Sequence, residues 1–318
     1  MSRRESPLNV TSPVVVTDVL SDVERLDEIS LRPTVLEEFI GQKELVGHLV
    51  IVLQAAKERR QTSDHLLFAG PPGLGKTSLA AIVASEMGVG LRVTSGPVLS
   101  RPGDLAALLT DLAEGEVLFI DEIHRLHRSV EEVLYPAMED RRLDVMIGRG
   151  PSARSIRLEL PNFTLVGATT RTGLVAAPLR DRFGFVGRLD LYADDELCAI
   201  VRRSARLLSL DLDDDATQEI ARRSRGTPRI ANRLLRRVRD VAQVAGVRHI
   251  DGVEARRALE LFGIDIRGLD KVDRRILQLL CEQFRGQPVG IVTLAHACGE
   301  EPAPLRRRTS PSSFERGS

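Results

Sequence analysis

An α/β fold, a doubly wound parallel sheet followed by helices, is predicted for this chain by two stretches and one change of texture. The first stretch, His65 to Met87, reads HLLFAGPPGLGKTSLAAIVASEM: an apolar strand-like run, a glycine-rich turn, then Ala, Leu, Ile and Val at helical spacing. The second is Val117-Leu118-Phe119-Ile120, wholly apolar as a strand buried on both faces should be, and closed by Asp121-Glu122. Strand and helix signals alternate to about Leu191. From Ala193 onward strand signals vanish, and 194–208, 214–225, 230–245 and 251–262 read as four helices.

Bulk properties bound the answer. The 318 residues exceed what one core usually encloses, so two or three domains are expected. Basic and acidic residues balance to a formal charge of zero, so no global positive field advertises nucleic acid and any DNA contact must come from a local patch. Cys198, Cys281 and Cys298 are scattered and odd in number, without paired metal spacing, which suits buried free thiols in a reducing cytoplasm. No apolar run approaches membrane-spanning length, and the N-terminal arginines precede Pro and Ser rather than an apolar segment. A cytoplasmic chain with no membrane anchor is expected.

Residues 1–30 are polar, with Asp18, Asp22, Glu24, Asp27 and Glu28 and few apolar positions, and predict a mobile arm. Order begins at Leu31-Arg32-Pro33, where Pro near a helix start and Gly41 after its end mark a short capped element. Leu45 to Arg59 carries Leu45, Leu49, Val52, Leu53 and Ala56 on one helical face. The glycine-rich turn follows. Its glycines let successive backbone N–H groups face a phosphate while the next helix aims its positive dipole end at the same anion. In that pattern Lys76 reaches the terminal phosphates and the Thr77 hydroxyl holds Mg²⁺; the bland alternative is a Gly-Pro turn.

A strand at 90–94 and a helix at 103–112 lead to the Asp121-Glu122 pair. Carboxylates at a strand's C-terminal edge can divide labour, Asp121 toward Mg²⁺ and Glu122 polarising a water, although a solvated strand end has the same sequence. His124 and His127 lack the Glu placement of a zinc helix and read as orienting or surface residues. Leu143 to Ile147 and Ser155 to Leu158, around Gly148-Arg149-Gly150-Pro151, predict a hairpin. Phe163 to Ala168 is another buried strand, ending at Thr169-Thr170-Arg171, where a threonine would either cap a helix or sense a γ-phosphate. Arg180 and Arg182 lie in a loop, catalytic only in an oligomer. Arg233, Arg236, Arg237 and Arg239 suit a solvated or interface face better than a DNA-binding helix.

GPPGLGKT, the Asp121-Glu122 pair, ATTR at 168–171, the Arg182 box and GTPRIANRLLRRVRD at 226–240 resemble the AAA+ ATPases. LRPTVLEEFIGQ, SGPVL, LFIDEIHRLHRSVEEVLYPAMED and ARSIRLELPNFTLVGATTRTG narrow the resemblance to the RuvB family of bacterial Holliday-junction branch-migration motors, from about Leu31 to Glu301. The resemblance implies an AAA+ phosphate-loop domain over 31–192, a helical lid over 193–263 and a winged-helix head over 266–318. It implies Leu31 and Arg32 at the adenine, Gly73, Lys76, Thr77 and Ser78 on phosphates and Mg²⁺, and Asp121 with Glu122 completing the hydrolytic centre. Thr170 and Arg229 match the two sensors, Tyr192 and Pro228 the cleft, and Arg182 a finger given across a subunit boundary. Glu139, Asp140 and Arg141 match further nucleotide contacts, with Arg141 in place of the Tyr expected there. ATP, Mg²⁺, a hexameric ring, RuvA at the 143–158 hairpin, RuvC in the larger complex, and four-way junction and duplex DNA are implied with it, as are DNA repair and the SOS response. Two other readings are a clamp-loader-like motor and a nucleotide-dependent RuvA-binding scaffold.

The head is expected to be incomplete. Asp270 to Phe284 and Pro288 to Cys298 resemble its first helices, but PLRRRTSPSSFERGS from Pro304 has no apolar periodicity and is rich in Arg, Ser and Pro, as a displaced reading frame would be. The recognition helix and wing are expected to be missing and the tail mobile.

Overall fold

The structure, a computed structural model, describes residues 30–147 and 154–299. The expected mobile arm, apart from Ser30, the turn of the hairpin and the tail from Pro304 lie outside the described residues.

Helix α1 (Lys43–Arg59) precedes a five-stranded sheet built from β1 (Leu66–Ala69), β2 (Leu91–Ser95), β3 (Val117–Asp121), β6 (Thr164–Thr169) and β7 (Phe185–Arg188). The strand order is β2-β3-β6-β1-β7 and every pairing is parallel. Between these strands lie α2 (Lys76–Met87), α3 (Pro102–Thr110), α4 (Arg128–Glu139), the hairpin β4 (Arg142–Ile147) and β5 (Arg154–Glu159), and the short α5 (Ala177–Arg180). Strand β3 shows why the apolar run is continuous: Val117 and Phe119 pack into the core beneath α1 and α2, Leu118 and Ile120 into the core beneath α3 and α4. Both faces are covered, as a parallel sheet with crossover helices requires. The consequence for function is that all five strands end on one edge, where the loops after β1, β3 and β6 meet.

The lid consists of α6 (Asp194–Leu207), α7 (Asp214–Arg223), α8 (Pro228–Ala245) and α9 (Gly252–Leu261), matching the four expected helices. Strands do not vanish there entirely: β8 (Asp211–Leu212) and β9 (His249–Ile250) pair in parallel. Two residues each, with Asp211 bonded to His249 at 2.9 Å, they leave no apolar pattern for a sequence to display. The arginines of α8 do not form one solvated face: Arg236 is buried, Arg237 lies over the Phe262 ring, and Arg237 and Arg239 both pair with Asp240.

Beyond the lid, α10 (Lys271–Gln278) widens into a π turn at Leu279–Gln283 and is followed by α11 (Ile291–Cys298). Asp270 caps α10 by accepting from the Asp273 N–H at 2.9 Å. Ile276, Leu279, Leu294 and Ala295 form a small core of their own between these helices.

Candidate nucleotide site

The loop joining β1 to α2 is wedged between the sheet and the lid. Gly73 adopts φ +81°, and a Cβ there would lie 2.9 Å from Thr227 Cγ2 and 3.0 Å from Arg229 Cβ, so no side chain fits between the loop and α8. The Arg229 N–H donates to Gly73 O at 3.2 Å, directly after Pro228 has opened α8. Tyr192, buried at the start of the lid, donates its hydroxyl to Leu74 O at 3.1 Å. The predicted loop residues and the lid residues Pro228, Arg229 and Tyr192 are thus brought together.

Lys76 is 8% exposed, and its Nζ donates to Gly70 O and Pro71 O at 2.7 Å each. Burial pulls its pKa down to about 8, Asp121 opposes the shift and Arg229 adds to it. An ammonium held against its own loop carbonyls is placed to exchange them for phosphate oxygens. Gly75 caps α2 in the left-handed region and no side chain caps the helix, so the N–H groups of Lys76, Thr77 and Ser78 open the helix toward the same space.

Asp121 ends β3. Its Oδ1 accepts from the Glu122 N–H at 2.8 Å and its carbonyl accepts from the Gly96 N–H at 2.7 Å. Glu122 itself sits at φ 48°, a left-handed backbone uncommon for a glutamate, and its carboxylate pairs with Arg125 at 2.6 Å. Among the described residues no cluster of three or more His, Cys, Asp or Glu could hold a metal. Thr77 and Asp121 offer two oxygens, which suits Mg²⁺, a cation that keeps water and phosphate oxygens in its shell.

Thr170 is the exposed residue at the tip of β6, while its neighbour Thr169 is buried with its hydroxyl 3.0 Å from His124 Nδ1. His124 is therefore an orienting residue, with desolvation as the main cause of its lowered pKa. His127 is exposed ahead of α4.

Of the two residues expected at the adenine, Leu31 is buried and Arg32 half-buried. Sequence reasoning missed Arg203 on α6, which donates to Leu31 O at 2.7 Å and to Glu38 Oε2 at 2.8 Å and so fastens this segment to the lid. It also missed Gln42, whose side-chain amide makes two bonds to the Asp190 backbone. Neither lies in a motif; the partners are 172 and 148 residues away, and only the fold reveals them.

Glu139, Asp140, Arg141 and Arg182 stand apart from this group. Arg182 Nη2 pairs with Glu139 at 3.0 Å, its guanidinium lies 4.6 Å from the Tyr135 ring centroid, and Nη1 donates to Pro178 O. Arg141 approaches Thr62, and the adjoining Met138 carbonyl meets His65, the residue before β1. These residues therefore occupy the edge where β1 and β7 begin. The phosphate loop lies at the other edge, roughly 13 Å away along four residues of strand.

Three family models match consecutive parts of the chain: the Holliday junction DNA helicase RuvB P-loop domain at residues 31–189, the RuvB AAA lid domain at 192–265 and the RuvB C-terminal winged helix domain at 266–311. The chain belongs to the RuvB family. The fold is similar to the Thermotoga maritima RuvB Holliday junction branch migration motor, with 47% identity and TM-score 0.81 over 91% of this chain and 92% of that one. A lysine-to-arginine mutant of the same protein matches with TM-score 0.82 and 47% identity over 90% and 91% of the two chains. An arginine-to-alanine mutant matches with TM-score 0.80 and 46% identity over the same shares. Membership makes this chain an AAA+ ATPase and a Holliday-junction branch-migration motor, and removes the clamp-loader reading. The winged-helix match also runs past Glu301, where recognisable motifs stopped, to residue 311.

Proposed function

We propose that the cleft between loop and lid binds ATP with Mg²⁺ and that a second group, on the opposite edge of the sheet, completes the site of the next subunit in a hexameric ring. Buried Lys76, already donating to two loop carbonyls at 2.7 Å, carries the first half of this reading. Lys76 and the α2 N–H groups hold the phosphates, Thr77 and Asp121 hold Mg²⁺, and Glu122 orients the attacking water. Mg²⁺ supplies charge neutralisation on the transferred phosphoryl group. Arg125 engages only Oε2 of Glu122, at 2.6 Å, which leaves Oε1 to accept from the attacking water. Thr170 and Arg229 contact the terminal phosphate from β6 and from the lid.

Arg182 supports the second half. Its Nε is buried without a hydrogen-bond partner, although Glu139 and Tyr135 hold the rest of the guanidinium. Sited at the edge opposite its own phosphate loop, this cation is read as serving a neighbour's nucleotide, and Glu139, Asp140 and Arg141 travel with it.

The hairpin is the proposed RuvA dock. Ile156 and Leu158 on β5 alternate onto one face and are 45% and 37% exposed, an apolar pair presented at the surface. We place the motor in the cytoplasm with RuvA and RuvC on four-way junctions; no described helix is long and apolar enough to cross a membrane. The test is ATP hydrolysis with and without Mg²⁺, alongside unwinding of a synthetic four-way junction with and without RuvA. Hydrolysis should vanish on chelation and unwinding should need RuvA. Hydrolysis without Mg²⁺ would refute the metal assignment, and unwinding indifferent to RuvA would refute the docking assignment.

A further inference from the structure

The seven residues Arg223–Arg229 touch three domains within one turn. Arg225 and Gly226 are both left-handed, at φ 50° and 73°, which reverses the chain sharply after α7. On one side of the reversal, the Arg229 N–H donates to Gly73 O of the phosphate loop and Gly226 O accepts from the Tyr192 N–H at 2.9 Å. On the other side lies the route to the head. Arg223, wholly buried, donates to Ile264 O at 3.4 Å, and Gly268 of the linker packs so closely on Arg223 O that a Cβ would lie 2.1 Å from it. Arg225 Nη1 then meets Asp273 Oδ2 of α10 at 3.1 Å, with Asp273 only 5% exposed.

We infer that this turn is a mechanical joint tying the state of the nucleotide cleft to the winged-helix head, with the Arg225–Asp273 ion pair as its latch. The inference rests on the reading of Arg229 as part of the nucleotide cleft. A left-handed arginine costs conformational energy, and a buried carboxylate is tolerated only while paired. Both costs fall on the residues that join head to lid, and four residues beyond the latch the same backbone bonds the phosphate loop. When nucleotide draws Arg229 toward the phosphates, Arg225 must either carry Asp273 and α10 with it or break a buried pair. Two packed arrangements separated by such a break make a switch rather than a continuous hinge. Arg225 and Asp273 are positioning residues: neither touches the nucleotide.

Hydrogen–deuterium exchange on the full chain tests the joint, comparing peptides over 269–284 without nucleotide, with ADP and Mg²⁺, and with a non-hydrolysable ATP analogue and Mg²⁺. In the parent, exchange in α10 should change at least threefold between nucleotide states. In Asp273→Asn, and in Arg225→Gln at the more exposed partner, exchange should become the same in all states, while nucleotide affinity stays within about twofold. The charge-swapped pair, Arg225→Asp with Asp273→Arg, should recover part of the difference. A structural pair alone would raise α10 exchange equally in every state and keep the nucleotide-dependent difference, which overturns the inference. So would a parent that binds nucleotide without any change in α10. A parent that binds no nucleotide would sink the cleft reading first, and this one with it.

Discussion

The two edges of the central sheet are built on different terms. At the C-terminal edge three of the proposed groups are held by their own chain: Lys76 by loop carbonyls, Asp121 by the amide of Glu122, Tyr192 by Leu74 O. At the N-terminal edge Arg182 is only partly satisfied, with a carboxylate and a ring on one side and a buried Nε without a hydrogen-bond partner. In the proposed reading one edge is a finished nucleotide cleft and the other is half of an unfinished one. The proposed ring calls for this asymmetry, since a finger that found all its partners at home would have nothing to offer a neighbour.

The largest test strikes the finished edge. Lys76→Ala removes the ammonium from the transferred phosphate and should lower ATP hydrolysis at least about a thousandfold. Glu122→Gln should do the same to turnover but retain nucleotide, because it removes the water-orienting carboxylate and leaves the phosphate cradle whole. Steady-state hydrolysis and filter binding separate the two. Glu122→Gln turning over at the parent rate would show that the left-handed glutamate at φ 48° has another purpose.

Breaking the unfinished edge gives the next effect. Arg182→Ala should cost roughly a thousandfold in uniform rings, the range of an arginine finger, without weakening nucleotide binding to the single chain. Mixed with Glu122→Gln, it should regain part of the activity, because some interfaces then pair an intact Arg182 with an intact Glu122. Rings shown to be mixed that stay inactive would mean the two edges do not meet across a subunit boundary.

A smaller effect is expected at the adenine side. Arg203→Ala frees the Leu31 carbonyl and Glu38 from α6 and should weaken nucleotide affinity about tenfold while leaving kcat unchanged, since it touches no reacting group. A fall in kcat at unchanged affinity would place Arg203 on the catalytic side of the comparison instead.

What the sequence displayed follows the same division. The finished edge was legible because its chemistry is contiguous: GPPGLGKT must be one stretch for successive amides to face one phosphate, and Asp121-Glu122 must follow an apolar strand to reach its tip. Leu31, Arg32, Tyr192, Pro228 and Arg229 of the cleft came only from family resemblance, as did Arg182 and the 139–141 group, because nothing local distinguishes a finger from a solvated arginine. Arg203, Gln42 and Arg225 were illegible for another reason: each acts on a partner fixed by the fold, across 172, 148 and 48 residues. The pair β8 and β9 escaped because two residues are too few to carry a period.

The finest test asks whether the finished edge is strained while it waits. In the nucleotide-free chain burial holds the Lys76 pKa at about 8, below the ordinary lysine value of 10.5. A base with a lowered folded pKa binds fewer protons folded than unfolded between those values. The nucleotide-free chain should therefore gain stability as pH rises from about 8 toward 10.5, and bear the full cost of the buried ammonium below 8. Phosphates reverse the balance, because two or three anionic oxygens favour the charged lysine. Binding should then take up a proton: about half of one at pH 8, more at higher pH and almost none at pH 6.5. Titration calorimetry at pH 8.5 in two buffers of different ionisation enthalpy measures this directly, since nucleotide phosphates are fully ionised there and contribute no proton of their own. Lys76→Arg provides the control, for a guanidinium is charged at any of these pH values and can take up nothing. Equal binding enthalpies in the two buffers for the parent would mean that Lys76 is already protonated, and that the loop carbonyls of Gly70 and Pro71 compensate its burial in full.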